Sequence, residues 1–254
     1  MWHTYISKFP DSTGAIAWNE KEHKTWSRLI ERQKTTIIDR ACPEFLNGLT
    51  SIGFSATRIP SLSEVNMRLS GFTWWKIEAV PAIISDEDFH TRISQRRCPA
   101  ASFIRIPEEF DYLEQPDIFH EFFWHIPLLT DRKYADFLQK FWECMISIEP
   151  RFRWYLARIF WFTIEFWLIE TNRWLRIYGA GILSSHSESI RALEDLNVER
   201  IPFDILECSR TPYRYDIMQS KYFILKDFDE LYKILDTSLL EILKKADTLG
   251  DIIS

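Results

Sequence analysis

The sequence predicts a mostly α-helical fold with a small β component, in a single domain. Apolar residues recur at helical spacing in several long segments, and only two short segments have the composition typical of strands. No stretch rich in Gly, Ser or Pro divides the 254 residues. Of these residues 46% are hydrophobic, which is enough for one buried core. We therefore expect residues 1–254 to form a single domain.

The first half of the chain is expected to contain helices separated by loops. Trp26, Leu29 and Ile30 lie at the spacing of one helix face. Prolines at 60, 81 and 99 break the region 53–103 into loops and brief helices. Helices are expected at 20–33, from Cys42-Pro43-Glu44 onward, and at 117–125, where Pro127 ends or bends the last one.

The second half contains the strongest helix candidate, residues 153–170. This segment is apolar nearly all round, so we expect it to be buried. Strands are expected at 177–183 and 222–225, and one or two helices at 227–245.

Composition and charge exclude several classes of protein. The net charge is −6, and no basic stripe offers a surface for nucleic acid. Arg153, Arg158 and Glu165 interrupt the most apolar stretch, 152–169, which argues against a membrane span. The four cysteines form no C-x-x-C pair and no secretory signal is present, so we expect a cytoplasmic protein with reduced cysteines.

Two histidines and one glutamate form the best candidate for a metal site. His120 and His125 lie five residues apart, and Glu165 interrupts an apolar helix, where a carboxylate is costly unless paired or metal-bound. Two imidazoles and a carboxylate form the facial triad of non-haem iron(II) oxygenases. On a regular helix, residues five apart point about 140° away from each other. The triad therefore requires the helix to end or distort between the histidines.

The residues alone leave simpler interpretations open. Two histidines at this spacing are more often ordinary polar residues, and Glu165 could instead pair with Arg153 or Arg158. A zinc hydrolase is a weaker interpretation, because the sequence suggests no general base beside a bound water.

Several segments carry, in order, a resemblance to a known family. They are Ala41-Cys-Pro-Glu-Phe-Leu-Asn-Gly-Leu49, Arg58-Ile-Pro60 with Glu64-Val-Asn66, Asp111-Tyr-Leu-Glu-Gln-Pro-Asp-Ile-Phe-His-Glu-Phe-Phe-Trp-His-Ile-Pro-Leu-Leu129, Ala157-Arg-Ile-Phe-Trp-Phe-Thr-Ile-Glu-Phe166, Leu175-Arg-Ile-Tyr-Gly-Ala-Gly-Ile-Leu-Ser-Ser185 and Arg210-Thr-Pro-Tyr-Arg-Tyr-Asp216. From about residue 15 to 235 the chain resembles the pterin-dependent aromatic amino acid hydroxylases, and it is most similar to the compact bacterial phenylalanine 4-hydroxylases. The resemblance implies the single-domain catalytic fold of that family.

The resemblance implies roles for individual residues. His120, His125 and Glu165 would bind Fe(II), and a tetrahydropterin such as tetrahydrobiopterin would supply electrons for the activation of O2. Arg105 would hold the substrate carboxylate, and Ser184, beside the substrate, would steady an iron-binding histidine. The other implied contacts are Pro116 and Trp161 with the substrate ring, and Phe89, Ala82, Ile84 and Glu121 with the pterin.

These contacts have simpler alternatives, and the family pattern has departures. Phe89 and Trp161 could be ordinary core residues, and Arg105 could be a solvated surface charge. Gln115 stands where the family usually has Glu, and Leu113 where some members have Thr. The departures concern the fine geometry of the substrate site.

We therefore expect a monooxygenase that hydroxylates L-phenylalanine to L-tyrosine. The family position matched by Ile224 is apolar in phenylalanine hydroxylases and acidic in tyrosine hydroxylases. A tryptophan or tyrosine hydroxylase remains an alternative, and so does a non-catalytic protein that binds an aromatic amino acid or pterin. The chain has no room for the regulatory domain or assembly helix of animal members, so we expect a monomer with no nucleic-acid or membrane partner.

Tryptophan is unusually common in this chain and glycine unusually rare, with 11 and 7 residues. By the resemblance, five tryptophans stand where the family has glycine: Trp74, Trp124, Trp142, Trp167 and Trp174. A single type of replacement suggests that the gene uses UGA for glycine and was translated with UGA as tryptophan. Each larger side chain forced into a packed core costs about 1–3 kcal/mol. If all five codons are UGG, the hypothesis fails and a degenerate pseudoenzyme becomes more credible.

Overall fold

Helices make up most of the chain, as predicted. The computed structural model describes residues 5, 7–12, 14–80, 84–111, 115–172, 174–214, 217–235 and 238–252. Its contacts group the chain into two units, Met1–Thr36 with Pro43–Gln139, and Ile37–Cys42 with Lys140–Ser254. Each unit is mostly helical, and each contains a small sheet among its described residues.

The first unit contains a two-stranded sheet and several helices. Its helices are α1 (Glu20–Ile37, whose last residue belongs to the second unit), α2 (Pro43–Ile52), α3 (Leu62–Leu69), α4 (Asp86–Ser94), α5 (Ile118–His120), α6 (Ile126–Leu128) and the first half of α7 (Arg132–Ser147). Strand β1 (Lys76–Val80) pairs in parallel with β2 (Arg97–Ala101) across α4. Trp26, Leu29 and Ile30 of α1 are fully buried, which is the helix face that the sequence predicted.

The second unit contains a four-stranded sheet surrounded by short helices. The helices are α8 (Arg153–Phe160), α9 (Ala180–Ser184), α10 (His186–Glu194), α11 (Ile205–Arg210), α12 (Asp229–Ile234) and α13 (Leu239–Leu249), and the strands are β3 (Trp167–Glu170), β4 (Leu175–Ile177), β5 (Glu199–Pro202) and β6 (Lys221–Leu225). The strand order is β4–β3–β6–β5. Strand β4 is antiparallel to β3, whereas β6 is parallel to both β3 and β5.

Two secondary-structure predictions were wrong in the second unit. The helix expected at 153–170 ends at Glu165, and Trp167–Glu170 is a strand. The strand expected at 177–183 ends at Ile177, and Ala180–Ser184 is helical. Both segments are buried and apolar, and periodicity does not separate a buried strand from a buried helix. The strand at 222–225 and the two C-terminal helices are confirmed.

The three charged residues within the apolar stretch 152–169 argued against a membrane span. Within the part of the chain that the structure describes, every helix is too short or too polar to cross a membrane.

Candidate active site

His120 and His125 are brought together by an irregular helix in the first unit. The Asp117 side chain caps α5 and accepts a hydrogen bond from the His120 N–H at 3.0 Å. Helix α5 then passes into a π turn, Glu121–His125, which we call the first π turn. Because a π turn bonds residue i to residue i+5, residues five apart lie one above the other. The two Nε2 atoms are 3.0 Å apart, so the distortion that the histidine spacing required is present.

Burial keeps both imidazoles neutral. It lowers the pKa of His125 to about 4. Burial also holds the pKa of His120 well below its usual value, and the nearby His125 and the Arg105 guanidinium lower it further. A neutral imidazole is the form that offers a nitrogen lone pair to a metal.

Arg105 belongs to a buried ion pair in the same unit. Its side chain is 4% exposed and that of Asp117 is 0% exposed. The Nε and Nη2 groups of Arg105 donate to the two carboxylate oxygens of Asp117, each at 2.9 Å. Asp117 therefore joins the predicted substrate-binding arginine to the segment that carries His120. The alternative of a solvated surface charge is wrong for Arg105. Asp117 was missed in the sequence, because no spacing distinguishes it from the other acidic residues nearby.

Glu165 is the last residue of a second π turn, Trp161–Glu165, which continues α8 in the second unit. Phe166 then leaves the helical conformation, with φ −126° and ψ 62°. Burial raises the pKa of Glu165 to about 7, and a hydrogen bond from the Gly181 N–H opposes part of this shift. The carboxyl group therefore changes protonation state near neutral pH.

The two arginines considered as partners of Glu165 bind elsewhere. Arg158 forms an ion pair with Asp251 at 2.6 Å, and Arg153 donates to the Ile146 carbonyl at 3.2 Å. The alternative of a Glu165–Arg158 ion pair is therefore wrong, because the guanidinium is already bound to another carboxylate.

Two glycines allow the chain of the second unit to pass close to Glu165. A Cβ atom at Gly179 would lie 2.5 Å from both the Glu165 carbonyl oxygen and the Trp167 nitrogen. A Cβ atom at Gly181 would lie 2.6 Å from the Phe166 ring. Since the obstructing atoms at Gly179 are backbone, glycine is required at that position, whereas a Cβ at Gly181 would require the Phe166 ring to move. In the sequence these two glycines were considered only as part of a segment that resembles the family. Their Gly-x-Gly spacing was a signal of close backbone packing.

The other predicted contact residues of the first unit lie on or beside helices. Glu121 is the first residue of the first π turn and is half-buried. Phe89 lies in α4 and Ile84 shortly precedes it, both half-buried. Pro116 is exposed, and Ala82 lies outside the described residues. The pterin and substrate roles of these residues stay predictions.

The predicted contact residues of the second unit lie on three elements. Trp161 begins the second π turn, and its ring stacks on Tyr213 and Phe166 with centroid distances of 4.4 and 4.6 Å. The Ser184 hydroxyl, at the end of α9, donates to the Gly181 carbonyl at 2.9 Å. Ile224 is half-buried on β6. Their roles toward a substrate also stay predictions.

The five tryptophans at expected glycine positions have different environments. Trp74 has a left-handed backbone with φ 65°, which glycine adopts far more readily than tryptophan. Trp124, Trp142 and Trp167 are buried, and Trp174 is exposed between β3 and β4. Of these five positions, only 74 therefore has a backbone conformation that itself favours glycine.

Comparison with known proteins places the chain in a family. Residues 4–247 match the family described as "Biopterin-dependent aromatic amino acid hydroxylase". The phenylalanine-4-hydroxylase of Pseudomonas aeruginosa is 42% identical over 97% of this chain and 94% of its own length. The cold-active phenylalanine hydroxylase of Colwellia psychrerythraea is 42% identical, with a TM-score of 0.94 over 98% of this chain and 96% of that one. The cobalt-bound phenylalanine hydroxylase of Chromobacterium violaceum is 34% identical, with a TM-score of 0.89 over 95% and 90%. This chain belongs to the biopterin-dependent aromatic amino acid hydroxylases.

Proposed function

We propose that this chain is a phenylalanine 4-monooxygenase, which converts L-phenylalanine to L-tyrosine with Fe(II), O2 and a tetrahydropterin. The observation that carries the proposal is the pair of neutral imidazoles of His120 and His125, just before and at the end of the first π turn, with their Nε2 atoms 3.0 Å apart. Membership of the family supports the reaction class and the pterin. The name shared by the bacterial relatives supports phenylalanine as the substrate.

In this proposal His120, His125 and Glu165 hold the iron. Each offers one atom that binds metals, an imidazole nitrogen or a carboxylate oxygen, and this set of donors suits Fe(II) in oxygenases. Two nitrogen ligands at right angles on an ion with bonds of about 2.1 Å lie about 3.0 Å apart. The distance between the two histidine nitrogens, 3.0 Å, has this value, so the residues fit the metal.

The remaining residues position the amino acid and the pterin. When bound, Fe(II) and the tetrahydropterin supply the activation of O2. Arg105 uses Nε and Nη2 for Asp117, which leaves Nη1 to donate to the substrate carboxylate. The contacts proposed from the resemblance are Pro116 and Trp161 with the substrate ring, Ser184 with a histidine ligand, and Phe89, Ala82, Ile84 and Glu121 with the pterin.

Phenylalanine is proposed over tyrosine because Ile224 presents an apolar side chain at the position where tyrosine hydroxylases have an acid. A carboxylate at this position would favour the hydroxylated ring of tyrosine, whereas isoleucine favours the unsubstituted ring of phenylalanine. We also propose a monomer that acts in the cytoplasm, with no nucleic-acid or membrane partner.

Tyrosine formation from phenylalanine, in the presence of Fe(II), O2 and tetrahydrobiopterin, tests the proposal. The chain as written and a form with glycine at positions 74, 124, 142, 167 and 174 are assayed together, with His120→Ala in each as the control. We expect turnover that His120→Ala abolishes. Product from tryptophan or tyrosine alone would show that this amino acid, and not phenylalanine, is the substrate. No product from any of the three amino acids, with iron bound normally, would favour the non-catalytic binding protein.

A further inference from the structure

Arg158 on α8 is a cation that is almost completely buried. Its side chain is 2% exposed. Nη1 and Nη2 donate to the two carboxylate oxygens of Asp251 at 2.6 and 2.8 Å, and the guanidinium lies 5.0 Å from the centroid of the Trp154 ring. Among the residues that the structure describes, Asp251 is the only carboxylate paired with this arginine. Because an unpaired buried charge is strongly destabilising, Arg158 depends on Asp251 to stay in place.

Asp251 is delivered to Arg158 by a C-terminal segment that is bound at several points. The Tyr155 hydroxyl donates to Asp247 at 3.2 Å. The Arg210 side chain donates to the Gly250 carbonyl at 2.7 Å, and the Ile252 N–H donates to the Arg210 carbonyl at 2.9 Å. Residues 247–252 are therefore fixed to α8 by the side chains of Asp247 and Asp251, and to the end of α11 by their backbone.

Helix α8 connects this ion pair to Glu165. The helical backbone runs from Arg153 through Phe160 and continues as the second π turn to Glu165. Without a carboxylate partner, Arg158 would move toward water to be solvated. A shift of the helix that carries it would also displace the carboxyl group at its end, because the two residues share one rigid element.

We infer that Asp251 is a positioning residue for Glu165: by pairing with Arg158 it fixes α8 and the second π turn that continues it, whose last residue binds the metal. The inference rests on the proposed function, in which Glu165 is an iron ligand. It assigns a role in metal binding to a C-terminal residue that lies 86 positions after that ligand in the sequence (251 − 165).

Co(II) is the probe for the test, since the related enzyme of Chromobacterium violaceum binds cobalt. The dissociation constant of Co(II) and its visible absorption spectrum, which reports ligand geometry, are measured for wild type, Asp251→Asn, Asp251→Glu and Glu165→Gln. Glu194→Gln is the matched control. Glu194 has a carboxylate of similar exposure, 54% against 51% for Asp251, and it pairs with Arg40 at 2.6 Å, away from α8. All measurements are made at a temperature where circular dichroism shows every variant folded.

We expect Asp251→Asn to weaken Co(II) binding about tenfold and to change the spectrum, as expected for residues that orient metal ligands. Asp251→Glu should restore much of the affinity, and Glu194→Gln should match wild type. If Glu165→Gln loses Co(II) while Asp251→Asn keeps the affinity and spectrum of wild type, the positioning role is overturned. Wild type that binds no Co(II), or Glu165→Gln that binds it equally well, overturns the proposed iron site and this inference with it.

Discussion

The two π turns, one in each unit, differ in the element that succeeds them and in the contacts that hold them. The first, Glu121–His125, follows α5, which Asp117 caps, and continues directly into α6. The second, Trp161–Glu165, follows α8, which has no side-chain cap, and gives way at Phe166 to a strand. Both turns are also approached closely by a glycine from elsewhere in the chain, Gly48 at the residues after the first turn and Gly179 at the end of the second. The difference is therefore local: a side-chain cap precedes the first turn and helix follows it, whereas the second turn has no such cap and ends where the chain becomes a strand.

Substituting the glycines beside each turn should have the largest effect. A Cβ atom at Gly179 would lie 2.5 Å from the Glu165 carbonyl oxygen, and one at Gly48 would overlap the Pro127 carbonyl just after the first turn. Because the obstructing atoms are backbone, we expect Gly179→Ala and Gly48→Ala each to lower the free energy of unfolding by about 4 kcal/mol or more. Urea denaturation measures the loss.

Gly71→Ala is the matched control for these substitutions, because its nearest neighbour is the Arg68 carbonyl oxygen at 3.3 Å. We expect it to change the free energy of unfolding by less than about 1 kcal/mol. If Gly179→Ala is as stable as Gly71→Ala, this close approach does not hold the second turn.

Removing the charge of Asp117 tests the local cap of the first turn. Asp117→Asn leaves Arg105 buried without a carboxylate and weakens the bond to the His120 N–H. We expect a loss of about 3 kcal/mol in the free energy of unfolding, since breaking a buried ion pair strands the other charge. Asp136→Asn removes a partly exposed ion pair with Arg96 and should cost less than about 1 kcal/mol. Equal losses for the two variants would contradict the role of the buried pair.

The contrast also explains which parts of the site the sequence could predict. The spacing of His120 and His125 required a distorted helix, and the distortion is local, so reasoning from the residues found it. The end of the second turn was missed, because the apolar run through Trp167 has no periodicity that marks where a helix gives way to a strand. Asp117 and Gly179 were missed as well. Their importance arises from contacts with groups that only the folded chain brings near.

The two turns should respond oppositely to pH once metal is removed with a chelator. The pKa of His125 is lowered from 6.5 to about 4, so its contribution to stability is present above pH 6.5 and is lost as the pH falls toward 4. The pKa of Glu165 is raised from 4.5 to about 7, so its contribution is present below pH 4.5 and is lost as the pH rises through 7. Because both groups are half-buried, we expect each effect to reach about 2 kcal/mol at most.

The urea concentration at the midpoint of unfolding, determined between pH 4 and 8, measures these two effects in the metal-free protein. We expect Glu165→Gln to remove the loss of stability on the alkaline side. His125→Gln should reduce the loss on the acid side, and the remainder is expected from His120, whose pKa is also lowered. Curves for the two variants that run parallel to wild type over the whole range would contradict the assignment of these groups.

The smallest expected effect concerns Trp74, a residue outside both turns whose backbone has a conformation typical of glycine. Trp74 is 76% exposed and has φ 65°, so its side chain gains little from burial while its backbone is strained. We expect Trp74→Gly to raise the free energy of unfolding by about 1 kcal/mol, since glycine adopts this conformation without steric conflict, although the unfolded chain gains some entropy. Trp174→Gly is the control: its side chain is also exposed, at 65%, but its backbone is not left-handed, so no gain is expected. A gain at both positions would mean that exposure, and not backbone strain, determines the effect. A gain at 74 alone would show that the backbone of this chain keeps a conformation suited to glycine where tryptophan now stands.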